Sequence, residues 1–101
     1  MIDLIEQRRP QLIELCRRYD VRRLDLFGSA LRPDFDPVNS DLDFLVEFNN
    51  FTVETADRYL DLMVDLEDLF GRKIDLVSDK AIRNPYFRHV VDRDRVPLYA
   101  A

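Results

Sequence analysis

At 101 residues the chain suits one domain, spanning 1–101, with one hydrophobic core. A formal net charge of −5, from 20 acidic against 15 basic residues, argues against a free-standing nucleic-acid binder, despite the local pairs Arg17-Arg18 and Arg22-Arg23. Cys16 is the sole cysteine, which excludes an internal disulfide, and no apolar run has the length of a membrane span or the form of a leader, so a cytoplasmic protein is expected.

Residues 2–8 read as a short helix. Pro10 then opens a second one, at the first-turn position where its missing N–H costs little. Leu12, Ile13, Leu15, Cys16 and Tyr19 form an apolar stripe at helical spacing, which makes Cys16 a core residue, and Asp20 ends the helix. Residues 22–27 form a first strand, which Gly28-Ser29 breaks. Ser29 is placed to cap a short helix over 30–32, and 33–39 is a loop rich in Pro, Asp and Asn.

Residues 41–48 form a second strand, with Leu42, Phe44, Val46 and Phe48 on one face and Asp41, Asp43, Leu45 and Glu47 on the other. The clearest helix covers 53–70, where Tyr59/Leu60, Met63/Val64, Leu66/Glu67 and Phe70 recur every three or four residues, and Gly71 is its stop. Residues 73–77 form a third strand, Ser78-Asp79 signals a capped turn, and Asn84-Pro85 opens a helix to about residue 93. The tail over 96–99 is extended, as an edge strand would be. The strand–helix–strand span from 41 to 77 favours a parallel pair. The fold class is therefore α/β (α+β), a small mixed sheet with helices packed on it.

Two features carry chemistry. Glycine lets the chain turn sharply and lets a phosphate approach without a Cβ, and Ser29 adds a hydroxyl and a backbone N–H; read alone, the pair is equally an ordinary strand-to-helix turn. Twelve residues after Ser29 stands Asp41, with Asp43 two positions further on the same strand face, about 7 Å along it. Aspartate is disfavoured in strands, so the pair reads either as oxygen ligands for Mg²⁺ or as two solvent-facing side chains. Asp75 interrupts an apolar strand. If strands two and three are neighbours it joins Asp41 and Asp43, giving carboxylates for two metals and an acceptor for a nucleophile's proton; otherwise it is an outward edge residue. Arg32, one turn after Ser29, either faces the same phosphates or lies on the surface. Asp25, Asp34, Asp36 and Glu47 read as structural or solvated, and the lone His89 with no Cys/His cluster points away from zinc.

Taken together, Leu26-Phe27-Gly28-Ser29-Ala30-Leu31-Arg32, Ser40-Asp41-Leu42-Asp43-Phe44-Leu45-Val46-Glu47-Phe48 and Lys73-Ile74-Asp75-Leu76-Val77 resemble the minimal nucleotidyltransferases of the DNA polymerase β superfamily, over nearly the whole chain. The resemblance implies the polymerase β-like nucleotidyltransferase fold. It implies a phosphate-binding turn at Gly28 and Ser29, catalytic and metal-binding carboxylates at Asp41, Asp43 and Asp75, and a nucleotide-binding Arg32. It further implies two Mg²⁺ ions, ATP as substrate, and a HEPN-domain ribonuclease toxin as partner in a hetero-oligomer. Members of this family act as antitoxins by transferring AMP to a tyrosine of that partner. Two alternatives stand beside this reading: a non-catalytic antitoxin that neutralises its partner by binding alone, using apolar residues such as Tyr86, Phe87, Val90 and Leu98-Tyr99, and transfer to a small molecule, which usually needs an added substrate domain.

Overall fold

The computed structural model describes residues 3–36 and 38–101, and of Ser29 the backbone only. The expected helix start at residue 2 and Pro37 of the expected loop lie outside the described residues. Helix α1 (Asp3–Arg18) leads into strand β1 (Val21–Phe27) and a one-turn 3-10 helix (Gly28–Leu31). Strand β2 (Leu42–Phe48), helix α2 (Thr55–Phe70) and strand β3 (Ile74–Ser78) follow. A second 3-10 turn (Asp79–Ala81), helix α3 (Pro85–Asp94) and strand β4 (Val96–Ala100) complete the chain.

The first two expected helices are one. Pro10 lies inside α1 rather than opening a new helix. Proline in a helix interior removes a hydrogen bond and crowds the preceding turn. Here Pro10 is exposed, while the buried face runs unbroken past it through Ile5, Leu12, Leu15 and Cys16. Packing of that face outweighs the local defect. The turn after β1 also differs: the 3-10 helix begins at Gly28, so Ser29 lies within it instead of preceding a helix over 30–32.

The strands lie in the order β3-β2-β1-β4. β2 and β3 run parallel, as the helical crossover α2 requires, and β1 is antiparallel to both β2 and β4. One face carries Leu24, Leu26, Leu42, Phe44, Val46, Ile74, Leu76 and Leu98, which pack with Leu12, Leu15 and Cys16 of α1 and Leu62, Leu66 and Phe70 of α2 into the main core. The Phe44 and Phe70 rings stack with centroids 5.9 Å apart. Gly71 ends α2 in the left-handed conformation, φ 63°, and donates its N–H to the Glu67 carbonyl.

The second face has a thinner cover. Phe27, Leu45 and Val91 of α3 form a small cluster there, joined by Val77 and Ile82. Among the described residues no helix is long and apolar enough to cross a membrane. The alternation of β2 therefore does what its sequence pattern implies: the apolar set faces the main core, and Asp43, Leu45 and Glu47 face the other way.

Candidate active site

Two of the sequence-derived carboxylates, Asp43 and Asp75, lie on the second face. β2 and β3 pair in parallel with Asp43 opposite Asp75, so the two carboxylates stand side by side on adjacent strands, about 5 Å apart in backbone spacing. Asp43 is half-buried and Asp75 exposed. On the other side of β2, Asp43 pairs with Phe27, the last residue of β1. The residue after Phe27 is Gly28, held at φ +75°. A Cβ built on Gly28 would meet the Asp43 carboxylate, 2.2 Å from Oδ2 and 3.0 Å from Cγ. Gly28 is therefore required twice, by the backbone conformation and by the carboxylate lying against its Cα.

Asp41 is half-buried and directly precedes β2. Its approach to the sheet is held from both ends. The Leu42 N–H donates to the Lys73 carbonyl at 3.3 Å, and Arg72 Nη1 donates to the Ser40 carbonyl at 3.1 Å. In the loop before it, Asp36 Oδ1 accepts from the N–H groups of Val38 and Asn39, which holds its carboxyl below the ordinary range.

Arg32 lies beyond the 3-10 turn and is exposed. It reaches a cleft of about 630 Å³ that Gly28, Leu31 and Arg32 line on one side and Phe87, Val90 and Arg93 of α3 on the other. That is a volume typical of small-molecule sites. Phe27 and Phe87 close its floor edge to face, with ring centroids 6.2 Å apart. Arg93 pairs with Asp94 at 2.9 Å on the wall, and these guanidiniums hold the Asp94 carboxyl below its usual range, Arg93 by its hydrogen bond first and Arg32 by its charge. The structure thus brings Gly28 against Asp43, Asp43 beside Asp75, and Gly28 and Arg32 to one cleft. The Ser29 hydroxyl lies outside what is described.

Among the described residues no three His, Cys, Asp or Glu side chains converge tightly enough to hold a metal unaided. The donor set still suits Mg²⁺. The ion takes hard oxygen ligands and usually binds through one or two carboxylates completed by substrate phosphates and water. Asp43 and Asp75 in register supply such carboxylates, and the Asp43 carboxylate lies against Gly28, which itself lines the cleft.

One ion-pair network on this face escapes sequence reading. Asp25 of β1 is fully buried. Its Oδ2 accepts from Arg95 Nε at 2.5 Å and its Oδ1 from Arg23 Nε at 3.2 Å. Arg95 continues to Asp79 at 2.6 Å and to Asp92 at 2.9 Å, and Arg88 joins both of those carboxylates at 2.7 and 2.8 Å. Burial pushes Arg95 towards losing its charge, but the bonds to Asp79, Asp25 and Asp92 win and raise its pKa well above the ordinary value. The network ties β1, the second 3-10 turn, α3 and the start of β4 together. An aspartate inside a strand was the visible signal; its partner stands 70 residues away.

The nucleotidyltransferase domain family matches residues 10–97. Two chains of Methanocaldococcus jannaschii, both provisionally named protein adenylyltransferases, are 35% identical over 79 residues (78% of each chain) and 38% identical over 84 residues (81% of each). A solved structure described as a minimal nucleotidyltransferase superposes with a TM-score of 0.77 at 34% identity, covering 95% of this chain and 96% of its own. One chain of a solved complex of tri-AMPylated Shewanella oneidensis HEPN toxin with MNT antitoxin matches with a TM-score of 0.67 at 17% identity, covering 95% of this chain and 72% of that one, which shows likeness of fold.

Proposed function

The chain belongs to the nucleotidyltransferase domain family, and from that premise we propose that it transfers AMP from ATP to a hydroxyl, a tyrosine of a HEPN-domain toxin, as the antitoxin of that pair. The observation that carries this reading is the register of Asp43 with Asp75, with the Asp43 carboxylate lying against the Gly28 turn. It sets two carboxylates next to a turn whose Gly28 lines the cleft. The names of the M. jannaschii relatives and the AMPylated toxin in the Shewanella complex support the same reaction class and partner.

In this reading the Gly28-Ser29 turn receives the triphosphate through backbone N–H groups, and Arg32 neutralises it from the cleft wall. Asp41, Asp43 and Asp75 would hold Mg²⁺. Bound together with ATP, two ions would supply charge neutralisation at the α-phosphate and the departing pyrophosphate. Asp75, exposed and laterally accessible, takes the acceptor's proton. The phenolic oxygen then bonds to the α-phosphorus and pyrophosphate leaves in line. Positioning and electrostatics account for most catalysis of this kind.

The test is transfer of α-labelled AMP from ATP, with Mg²⁺, to a purified HEPN-domain protein. Asp43→Asn and Asp75→Asn should each abolish transfer while leaving the far-UV circular dichroism unchanged. Transfer that survives both substitutions overturns the assignment.

A second reading, neutralisation by binding alone, draws support from exposed apolar side chains: Phe51 at 84% and Val53 at 95% exposure, with Leu60 and Val64 on the outer face of α2. The C-terminal residues expected to serve it divide. Tyr86 and Phe87 are exposed, whereas Leu98 is core. Full inhibition of the toxin in EDTA by the Asp43→Asn variant would favour binding alone.

A further inference from the structure

We infer that Tyr86 of this chain is itself an acceptor of AMP, so that the enzyme modifies its own α3 helix; the inference rests on the transfer reaction proposed above. An acceptor must present a free hydroxyl oxygen to the α-phosphorus. Of the chain's four tyrosines, Tyr19 donates its hydroxyl to the Asp65 carboxylate and Tyr59 donates to the Leu76 carbonyl. Tyr99 packs half-buried against the main core. Tyr86 is 78% exposed.

Its position is also fixed relative to the site. The Asn84 side chain accepts from the N–H groups of Tyr86 and Phe87 at 2.9 and 3.1 Å, which pins the first turn of α3. Phe87 meets Phe27 edge to face, and Phe27 is the register partner of Asp43. Val90 and Arg93, four and seven residues after Tyr86, share its side of the helix, and both line the cleft that Gly28 and Arg32 line opposite. Tyr86 accordingly stands on the side of α3 that borders that cleft.

In the step itself the Tyr86 oxygen forms a bond to the α-phosphorus of ATP. The bond from that phosphorus to the α,β-bridging oxygen breaks, pyrophosphate leaves with the electron pair, and the phenolic proton passes to a carboxylate on this face. The resulting phosphodiester would lay an adenosine and a negative charge across the cleft, so each modified molecule would take up its next ATP more slowly.

The experiment incubates the purified protein with ATP and Mg²⁺, alone and in parallel with a HEPN-domain protein, and reads both by intact mass and peptide mapping. One AMP adduct on the Tyr86 peptide is expected. It should fall at least tenfold in Tyr86→Phe, which keeps the exposed ring and removes the hydroxyl alone. An adduct on the HEPN protein alone, or on another side chain of this protein, overturns the inference and leaves the transfer reaction standing. No adduct on either protein overturns both.

Discussion

Gly28→Ala separates a local backbone effect from an effect on the site, because a second glycine provides the control. Both glycines have positive φ, 75° at Gly28 and 63° at Gly71. Each alanine therefore incurs the left-handed penalty of roughly 1–2 kcal/mol. At Gly71 nothing lies within 4 Å of the new Cβ, so the penalty ends there. At Gly28 the Cβ meets Asp43 Oδ2 at 2.2 Å, Cγ at 3.0 Å and Cβ at 3.3 Å. Rotating the carboxylate relieves only the first of these. The other two demand movement of β2 relative to the turn, an overpacking cost of about 1–3 kcal/mol. Gly28→Ala should thus lose at least ~1 kcal/mol more than Gly71→Ala in urea unfolding followed by circular dichroism. The displaced carboxylate should also lower AMP transfer by about 100-fold, the usual consequence of a shift near 1 Å at a reacting centre. Gly71→Ala should transfer AMP at the parent rate. Equal stabilities and equal rates for the two variants would refute the argument that Asp43 and Gly28 form one unit.

Asp25→Ala removes the fully buried one of the three carboxylates on Arg95, leaving Asp79 and Asp92, and should cost about 1.5–3 kcal/mol in the same unfolding assay, a loss under ~0.5 kcal/mol being the contrary result. Acid unfolding should report Asp79. Burial raises its pKa, but the hydrogen bonds from Arg95 and then Arg88 outweigh burial and hold it below the unfolded value. Its contribution is therefore complete above the unfolded carboxyl pKa of about 3.9 and is lost as the pH falls through the lower folded value. Asp79→Asn should flatten stability against pH across that acidic window and leave the slope near neutrality unchanged. Cys16, buried in the main core with its thiol pushed up to about 12, should resist a thiol reagent at pH 8 until the chain is unfolded in urea; labelling of the native protein at the unfolded rate contradicts its placement.

The residues differ in how far the sequence reveals them, and the reason is range. The strand β2 was legible because period-two alternation is local, and the structure places Leu42, Phe44 and Val46 in the main core while Asp43 and Glu47 face away. Gly71 and Asn84-Pro85 were legible because helix ends are specified by a few neighbouring residues. Pro10 misled because a local rule met a tertiary one: the buried stripe from Ile5 to Cys16 holds α1 continuous across the proline. The juxtaposition of Asp43 with Asp75 was legible only as a condition, that strands two and three be neighbours, which β2–β3 pairing meets. The Asp25–Arg95 pair had no such handle. Nothing near Arg95 marks it as the counter-ion of a strand 70 residues earlier.

The two faces of the sheet divide stability from chemistry. One is sealed by two 16-residue helices, and its side chains from Leu24 to Leu98 are apolar. The other is covered only by the 10-residue α3 and its small cluster, and α3 is held there largely by charge, through Arg88 and Arg95 on Asp79, Asp92 and Asp25. Ion pairs place a helix with direction and spacing that apolar contact does not. Here that placement keeps α3 beside the Gly28 turn without letting it cover Asp75, which stays exposed. For the transfer reaction proposed above, such an open carboxylate next to a walled cleft would let the nucleotide sit against the fold while the acceptor hydroxyl comes in from solvent. A fully apolar second face would make a more stable sheet, but it would bury the two aspartates in register and leave the acceptor no approach.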